Sequence, residues 1–197
     1  GLFIRRFKKD IKDQVSKSFK ERRIAVQKCP ASKEEEAAFD VFTQMNFTRL
    51  DQRRTAGKLF KTTLEKALFS SPAACLQTIQ HRISRLQKEE SEETAKDIQA
   101  LQTLADTLQP VGPKDFSKYQ KLLAVIQDPF HGFDWTGRDT KDRLVIFTER
   151  IETLNFLAKH LPRDLGLKED QTVILHGGLP DIDQQKIVED FGREEAH

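Results

Sequence analysis

Cysteine, aromatic residues other than phenylalanine, and long apolar runs are all scarce in this chain. Its 197 residues include two cysteines, one tryptophan, one tyrosine and one methionine, beside 14 phenylalanines. Cys29 and Cys75 stand in no metal-ligand spacing, so we expect buried or incidental free thiols rather than a disulfide. No apolar run approaches the roughly 20 residues of a membrane span, and no secretory signal is visible. We therefore expect a cytoplasmic protein without a membrane partner.

Sequence motifs for catalysis and cofactor binding are missing as well. There is no G-x-x-x-x-G-K-[ST] phosphate loop and no G-x-G-x-x-G motif. The five histidines are scattered, and none pairs with cysteine or aspartate at metal-ligand spacing. No arrangement of serine, histidine and aspartate can be defended as a catalytic set. A self-contained metabolic enzyme is therefore disfavoured, and we expect no catalytic residue, no metal and no bound cofactor in this chain.

Charge is abundant but unevenly distributed. Charged residues make up 32% of the sequence and hydrophobic residues 37%, which is typical of a soluble, helix-rich protein. The net charge of +2 conceals ten lysines and arginines against three acids in residues 1–30, whereas residues 141–197 carry eight against twelve. A basic segment can bind nucleic-acid phosphates or form a solvated helix face, and charge alone favours the second interpretation.

Helical periodicity dominates the first two thirds of the chain. Residues 1–11 show a short basic amphipathic pattern, and residues 22–29 alternate as a short strand or an extended link does. Ser32 and Ser71 are placed to cap helices. The apolar stripes that predict inward helix faces are Ala38, Val41, Phe42 and Met45; Leu59, Phe60, Thr63, Leu64 and Ala67; Cys75, Ile79, Ile83 and Leu86; Ile98, Leu101, Ala105 and Leu108; and Phe116, Tyr119, Leu122, Leu123 and Ile126. The third and fourth stripes, joined by the charged connector at residues 88–94, predict an antiparallel helical hairpin.

The hydrophobic period changes after a polar connector at residues 131–142. Residues 144–147 (LVIF) and 172–175 (TVIL) are continuous apolar runs, which are typical of parallel strands covered on both faces. A helical pattern follows each run, and the two runs lie about one βαβ unit apart. The sequence therefore predicts a mainly α protein with a small α/β part: a helical bundle with a hairpin, then a partial parallel βαβα unit.

Ligands bind beyond the carboxyl ends of parallel strands, so the residues after each run are the candidate site. These six tip residues are Thr148, Glu149 and Arg150 after the first run, and His176, Gly177 and Gly178 after the second. The glycines allow close approach of a ligand, and a phosphate could be held by their amides at the start of the following helix. The other interpretation is that HGG is a tight strand-to-helix turn.

Four blocks of the chain, in this order, resemble Swi/Snf-type motors of helicase superfamily two. LFIRRFKKDI with ERRIAVQKCPASKEEEAAF is similar to the exit from the first RecA-like lobe, and SSPAACLQTIQHRI to a segment of the helical insertion in bacterial members. RLVIFTERIETLNFLAKHL resembles the segment around motif IV, and LHGGLPDIDQQKIVEDF resembles the block that follows it in the second lobe. The resemblance covers most of the chain. It implies a first-lobe tail with a helix and a short strand (1–30), a helical insertion domain (31–130), a connector (131–142) and the truncated start of the second RecA-like lobe (143–197).

Such a motor hydrolyses ATP with Mg²⁺ between its two lobes and tracks along nucleic acid, usually duplex DNA. The phosphate loop, the acidic magnesium-binding motif and the arginine finger are absent here, so the resemblance implies a fragment of a translocase that is inactive alone. It assigns nucleic-acid contacts to the six tip residues, whereas Arg5 and Arg6 either contact DNA or hold the interlobe region together. The alternative is a helical protein-interaction module in which the hairpin at residues 72–108 docks a partner and nucleic acid has no role.

The predicted sheet has a physical consequence. Two parallel strands cannot bury both faces without neighbours, and exposed strand edges invite pairing with another chain. We therefore expect residues 141–197 either to pack onto the helical part or to pair between molecules through the truncated sheet edge.

Overall fold

The computed structural model describes residues 24–48, 54–89, 91–139 and 141–193. Within these ranges the chain forms seven α-helices and one short 3-10 helix, with no β-strand. The helices are α1 (Lys33–Gln44), α2 (Arg54–Ser70), α3 (Pro72–Leu86), α4 (Glu92–Leu108), α5 (Ser117–Gln127), α6 (Ile151–Leu165) and α7 (Asp181–Gly192), and the 3-10 helix is Glu169–Gln171. The amphipathic pattern at the start of the sequence, with Arg5 and Arg6, lies outside the described residues.

Serine side chains cap three of the helices. The hydroxyls of Ser32 and Ser71 each accept a hydrogen bond from the backbone N–H three residues on, at 3.2 and 3.1 Å, as the sequence predicts. Ser91 caps α4 in the same way, inside the stretch predicted to be a connector. The connector is therefore shorter than predicted, and Thr94, which is 1% exposed, belongs to the packed first turn of α4.

The main core lies around α3, which packs against α2, α4 and α6, while α1 packs against α4. Its buried side chains are Ala38, Phe42, Met45, Phe47, Leu64, Ala67, Ala74, Cys75, Ile79, Leu86, Leu101, Leu104 and Leu108. The predicted hairpin of α3 and α4 and the predicted core position of Cys75 are confirmed, and burial raises the pKa of that thiol to about 12. The prediction for Leu59 is wrong: it is 68% exposed, about 140° around the helix from Leu64.

A second, smaller core joins α5 to α6. Its buried residues are Val111, Phe116 and Tyr119. The ring of Tyr119 meets Phe156 of α6 edge-on, with centroids 5.2 Å apart, and its hydroxyl donates to Asp164 Oδ2 at 2.7 Å. Helix α6 therefore packs onto the helical part of the chain, whereas α7 has no buried residue. The first of the two outcomes expected for residues 141–197 thus holds for α6.

Replacing Tyr119 with phenylalanine tests this junction. The hydrogen bond from Tyr119 is the main cause that lowers the pKa of Asp164, and Arg163 adds to it. A carboxyl group with a lowered pKa stabilises the fold above its unfolded pKa, and this stabilisation is lost as pH falls through the folded pKa. We expect Tyr119→Phe to lower the free energy of unfolding by about 1–2 kcal/mol at neutral pH, and by progressively less below about pH 4. Urea denaturation across that pH range measures the loss, and a loss independent of pH would contradict this account.

The predicted parallel strands are not present, so the fold class with a partial RecA-like βαβα unit is wrong. Residues 144–147 and 172–175 lack regular secondary structure, and the described part of the chain is all-helical. Five of their large apolar side chains are exposed: Val145, Phe147, Val173, Ile174 and Leu175. An apolar run indicates a tendency to be buried, whereas a strand also needs a neighbouring backbone to pair with. Residues 24–29 likewise form no strand and match the alternative of a link.

Candidate functional site

The structure brings the two candidate tips together in one cleft of about 500 Å³. All six tip residues line it: Thr148, Glu149, Arg150, His176, Gly177 and Gly178. Its apolar walls come from Ile146, Phe147, Ile151, Leu154 and Leu175. The two segments therefore end beside each other although no β-ladder joins them among the described residues.

The first tip leads directly into α6. Thr148 Oγ1 accepts a hydrogen bond from the Arg150 N–H at 3.5 Å. The guanidinium of Arg150 donates to the carbonyl oxygen of Thr63 on α2, at 3.4 Å, so this side chain ties the tip to the helical core. Glu149 is exposed at the cleft, and its carboxylate repels phosphate there.

The second tip is a turn closed by a hydrogen bond from the Leu179 N–H to His176 O at 3.1 Å. The Gly178 N–H donates to His176 Nδ1 at 3.1 Å, so Nδ1 is an acceptor and the N–H donor of the ring is Nε2. Neither glycine has a positive φ, so the turn itself does not require glycine. A methyl group at Gly177 would meet no atom of the described residues within 4 Å, so its missing side chain leaves the backbone open to a ligand.

The start of α6 supplies backbone donors at the cleft. Its N-cap, Arg150, makes no side-chain capping bond in the described structure, and the first backbone bond runs from the Leu154 N–H to Arg150 O at 3.0 Å. Helix α5 differs, because the Glu35 carboxylate of α1 accepts from its Ser117 N–H at 3.3 Å. Helix geometry leaves the N–H groups of residues 151–153 without acceptors inside α6, and the helix dipole favours an anion beside them.

Sequence analysis missed part of the site. Ile151 and Leu154 line the cleft, whereas the sequence placed them only in the helical pattern that follows the first apolar run. The three-residue spacing places both side chains on one face of the helix, but it does not determine which part of the molecule that face contacts. No sequence pattern indicates the contact between Arg150 and Thr63 O, because every residue has a backbone carbonyl oxygen that could accept this hydrogen bond.

Within the described ranges, no three histidine, cysteine, aspartate or glutamate side chains are grouped so that they could hold a metal ion. No helix in the part of the chain that the structure describes combines the length and the apolar character needed to cross a membrane. Comparisons of the chain with protein-family models, with curated proteins and with solved structures found no match.

Proposed function

We propose that this chain supplies a nucleic-acid-binding surface to an ATP-dependent translocase that acts on duplex DNA, and that it does not hydrolyse ATP by itself. The observation that carries the proposal is the cleft in which two tips, distant in sequence, meet at the start of α6. ATP and Mg²⁺ would bind to other parts of such a motor, because this sequence contains no phosphate loop.

Several donors at the cleft suit a backbone phosphate. The phosphate would accept hydrogen bonds from the N–H groups of residues 151–153, from the Thr148 hydroxyl and from His176 Nε2, while Gly177 admits it close to the main chain. Contacts of this kind fix the position of a protein on DNA but carry no base information, which suits a motor that moves along any sequence. Repulsion between the Glu149 carboxylate and the phosphate keeps the affinity low enough for the DNA to be released.

Fluorescence anisotropy with a labelled DNA duplex, measured across a salt series, tests the proposal. We expect affinity to fall as salt rises, because each phosphate contact releases counterions. Thr148→Val and His176→Phe should each weaken binding about threefold to tenfold, since each removes one donor. The control variants Thr103→Val and His81→Phe remove the same groups from exposed positions on α4 and α3 and should bind as the wild type does.

Three results would overturn the proposal. The first is binding that does not respond to salt. The second is cleft variants that bind as well as their controls, which would place the contact elsewhere, such as the basic residues 1–30. The third is DNA-stimulated ATP hydrolysis by the purified chain, because the proposed surface lacks the machinery for turnover.

The alternative of a protein-interaction module built on residues 72–108 has no supporting observation. A docking helix needs exposed apolar anchors. The apolar stripes of α3 and α4 instead pack in the main core, where Ile83, Ile98 and Ala105 are partly buried and the other members are buried. In the part of the chain that the structure describes, none of the exposed large hydrophobic side chains lies within residues 72–108.

A further inference from the structure

The shape of the cleft depends on where α6 begins. Ile151 and Leu154, at the start of the helix, form part of one wall, and residues 148–150 lead directly into the helix. The other side of the cleft is the turn at residues 176–178. A shift of the start of α6 would therefore move the backbone donors and the first tip together, relative to that turn.

Thr153 lies between the two wall residues in sequence, but its side chain is buried in the opposite direction, against the helical core. It is 7% exposed, and its hydroxyl lies 2.7 Å from Ser71 Oγ and 2.9 Å from Ser70 Oγ. Ser71 is fully buried and also accepts from the Ala74 N–H as the cap of α3. The Ala74 N–H donates to Ser71, the Ser71 hydroxyl can donate to Thr153, and the Thr153 hydroxyl can donate to Ser70. All three hydrogen bonds can form together, because each hydroxyl can donate one hydrogen bond and accept two.

A second contact acts on the same end of α6. The hydrogen bond from Arg150 to Thr63 O joins the first tip to α2, about two turns before the α2–α3 corner at Ser70 and Ser71. The described residues 143–148 belong to neither helix nor strand, and Arg143 at their start donates to the carbonyl oxygen of Phe191 in α7. The end of this segment nearest α6 is held to the helical core by Arg150.

We infer that Thr153 is a positioning residue for the cleft and that its hydroxyl bridge to Ser70 and Ser71 couples DNA binding to the helical core. The inference rests on the proposed function and identifies residues that hold the cleft in its binding geometry. Loss of the bridge loosens the start of α6 and misaligns its N–H donors, although no group that contacts DNA is removed. By linkage, DNA bound in the cleft stabilises the α2–α3 corner in return.

The test compares Thr153→Val, which removes the hydroxyl with little change of shape, with Thr153→Ser, which keeps it. Thr103→Val on α4 is the control for loss of a threonine hydroxyl at an exposed position. We expect hydrogen exchange of the backbone amides of residues 154–157 to become about fivefold to tenfold faster in Thr153→Val only. We expect duplex affinity, measured well below the melting temperature, to fall by about the same factor in Thr153→Val and to be retained in Thr153→Ser and in the control.

The outcomes separate the inference from the proposed function. A wild-type chain that binds no duplex defeats the proposed function and this inference with it. If the wild-type chain binds the duplex and the Thr153→Val variant binds it equally well, the inference is overturned and the proposed function stands. Unchanged hydrogen exchange in Thr153→Val also overturns it, whatever the duplex measurements show. A fall in affinity that Thr153→Ser does not rescue assigns the effect to altered packing and likewise counts against the hydroxyl bridge.

Discussion

Replacing Phe116 with alanine will lower the free energy of unfolding by about 3–5 kcal/mol, whereas the same replacement at Phe147 will change it by less than about 0.5 kcal/mol. Phe116 is 5% exposed and meets Phe156 edge-on with ring centroids 5.5 Å apart. Phe147 is 93% exposed, so its removal leaves no cavity. Urea denaturation followed by circular dichroism measures both changes.

This pair of variants tests the all-helical description directly, because the chemical change is the same at both positions. In the parallel sheet predicted from the sequence, Phe147 would lie in a strand covered on both faces. Its loss would then cost about as much as the loss of Phe116. Equal destabilisation by the two variants would therefore contradict the fold described above.

Gly132→Ala is the second substitution with a large expected effect, a loss of about 1–3 kcal/mol of stability. A Cβ atom at Gly132 would lie 2.2 Å from the carbonyl oxygen of Val125 and 2.7 Å from that of Asp128. The first of these oxygens accepts from the Phe133 N–H at 2.8 Å, and the second from the Gly132 N–H at 3.1 Å. Neither oxygen can move away without breaking the hydrogen bonds that end α5 and begin the connector.

Gly192→Ala at the end of α7 is the matched control. A Cβ atom there would meet no atom of the described residues within 4 Å, and alanine favours a helix over glycine. We expect this control to leave stability unchanged or to raise it by a few tenths of a kcal/mol. Thermal melts of both variants measure the contrast. Similar melting temperatures would show that the loop after α5 is less tightly built than the structure indicates.

The features that could be predicted from the sequence are those determined by neighbours within about one helical turn. The caps at Ser32 and Ser71 are examples, since each hydroxyl bonds a backbone N–H three residues away. The stripe of Cys75, Ile79 and Leu86 is another, because helical spacing alone places these side chains on one buried face. The N-cap at Ser91 was not predicted, because the charged residues around it indicated a connector rather than the start of a helix.

The contacts that the sequence does not reveal join residues far apart in the chain. The carboxylate of Glu35 accepts from the Ser117 N–H, although no local pattern relates these two residues. The hydroxyl bridge from Thr153 to the α2–α3 corner has no local signal either, since any buried threonine could bond its own helix instead. The two apolar runs were misassigned for a related reason: their composition indicates burial, but pairing depends on a partner that the local pattern does not specify.

The most direct test of the nucleic-acid cleft is the backbone amide spectrum of the isotope-labelled chain, recorded by NMR during titration with a DNA duplex. The account predicts that the largest chemical-shift changes fall on the amides of residues 151–153, at the start of α6, and on that of Gly177. Ile151 and Gly177 both line the cleft. Changes confined to other parts of the chain, with these amides unmoved at saturation, would contradict it.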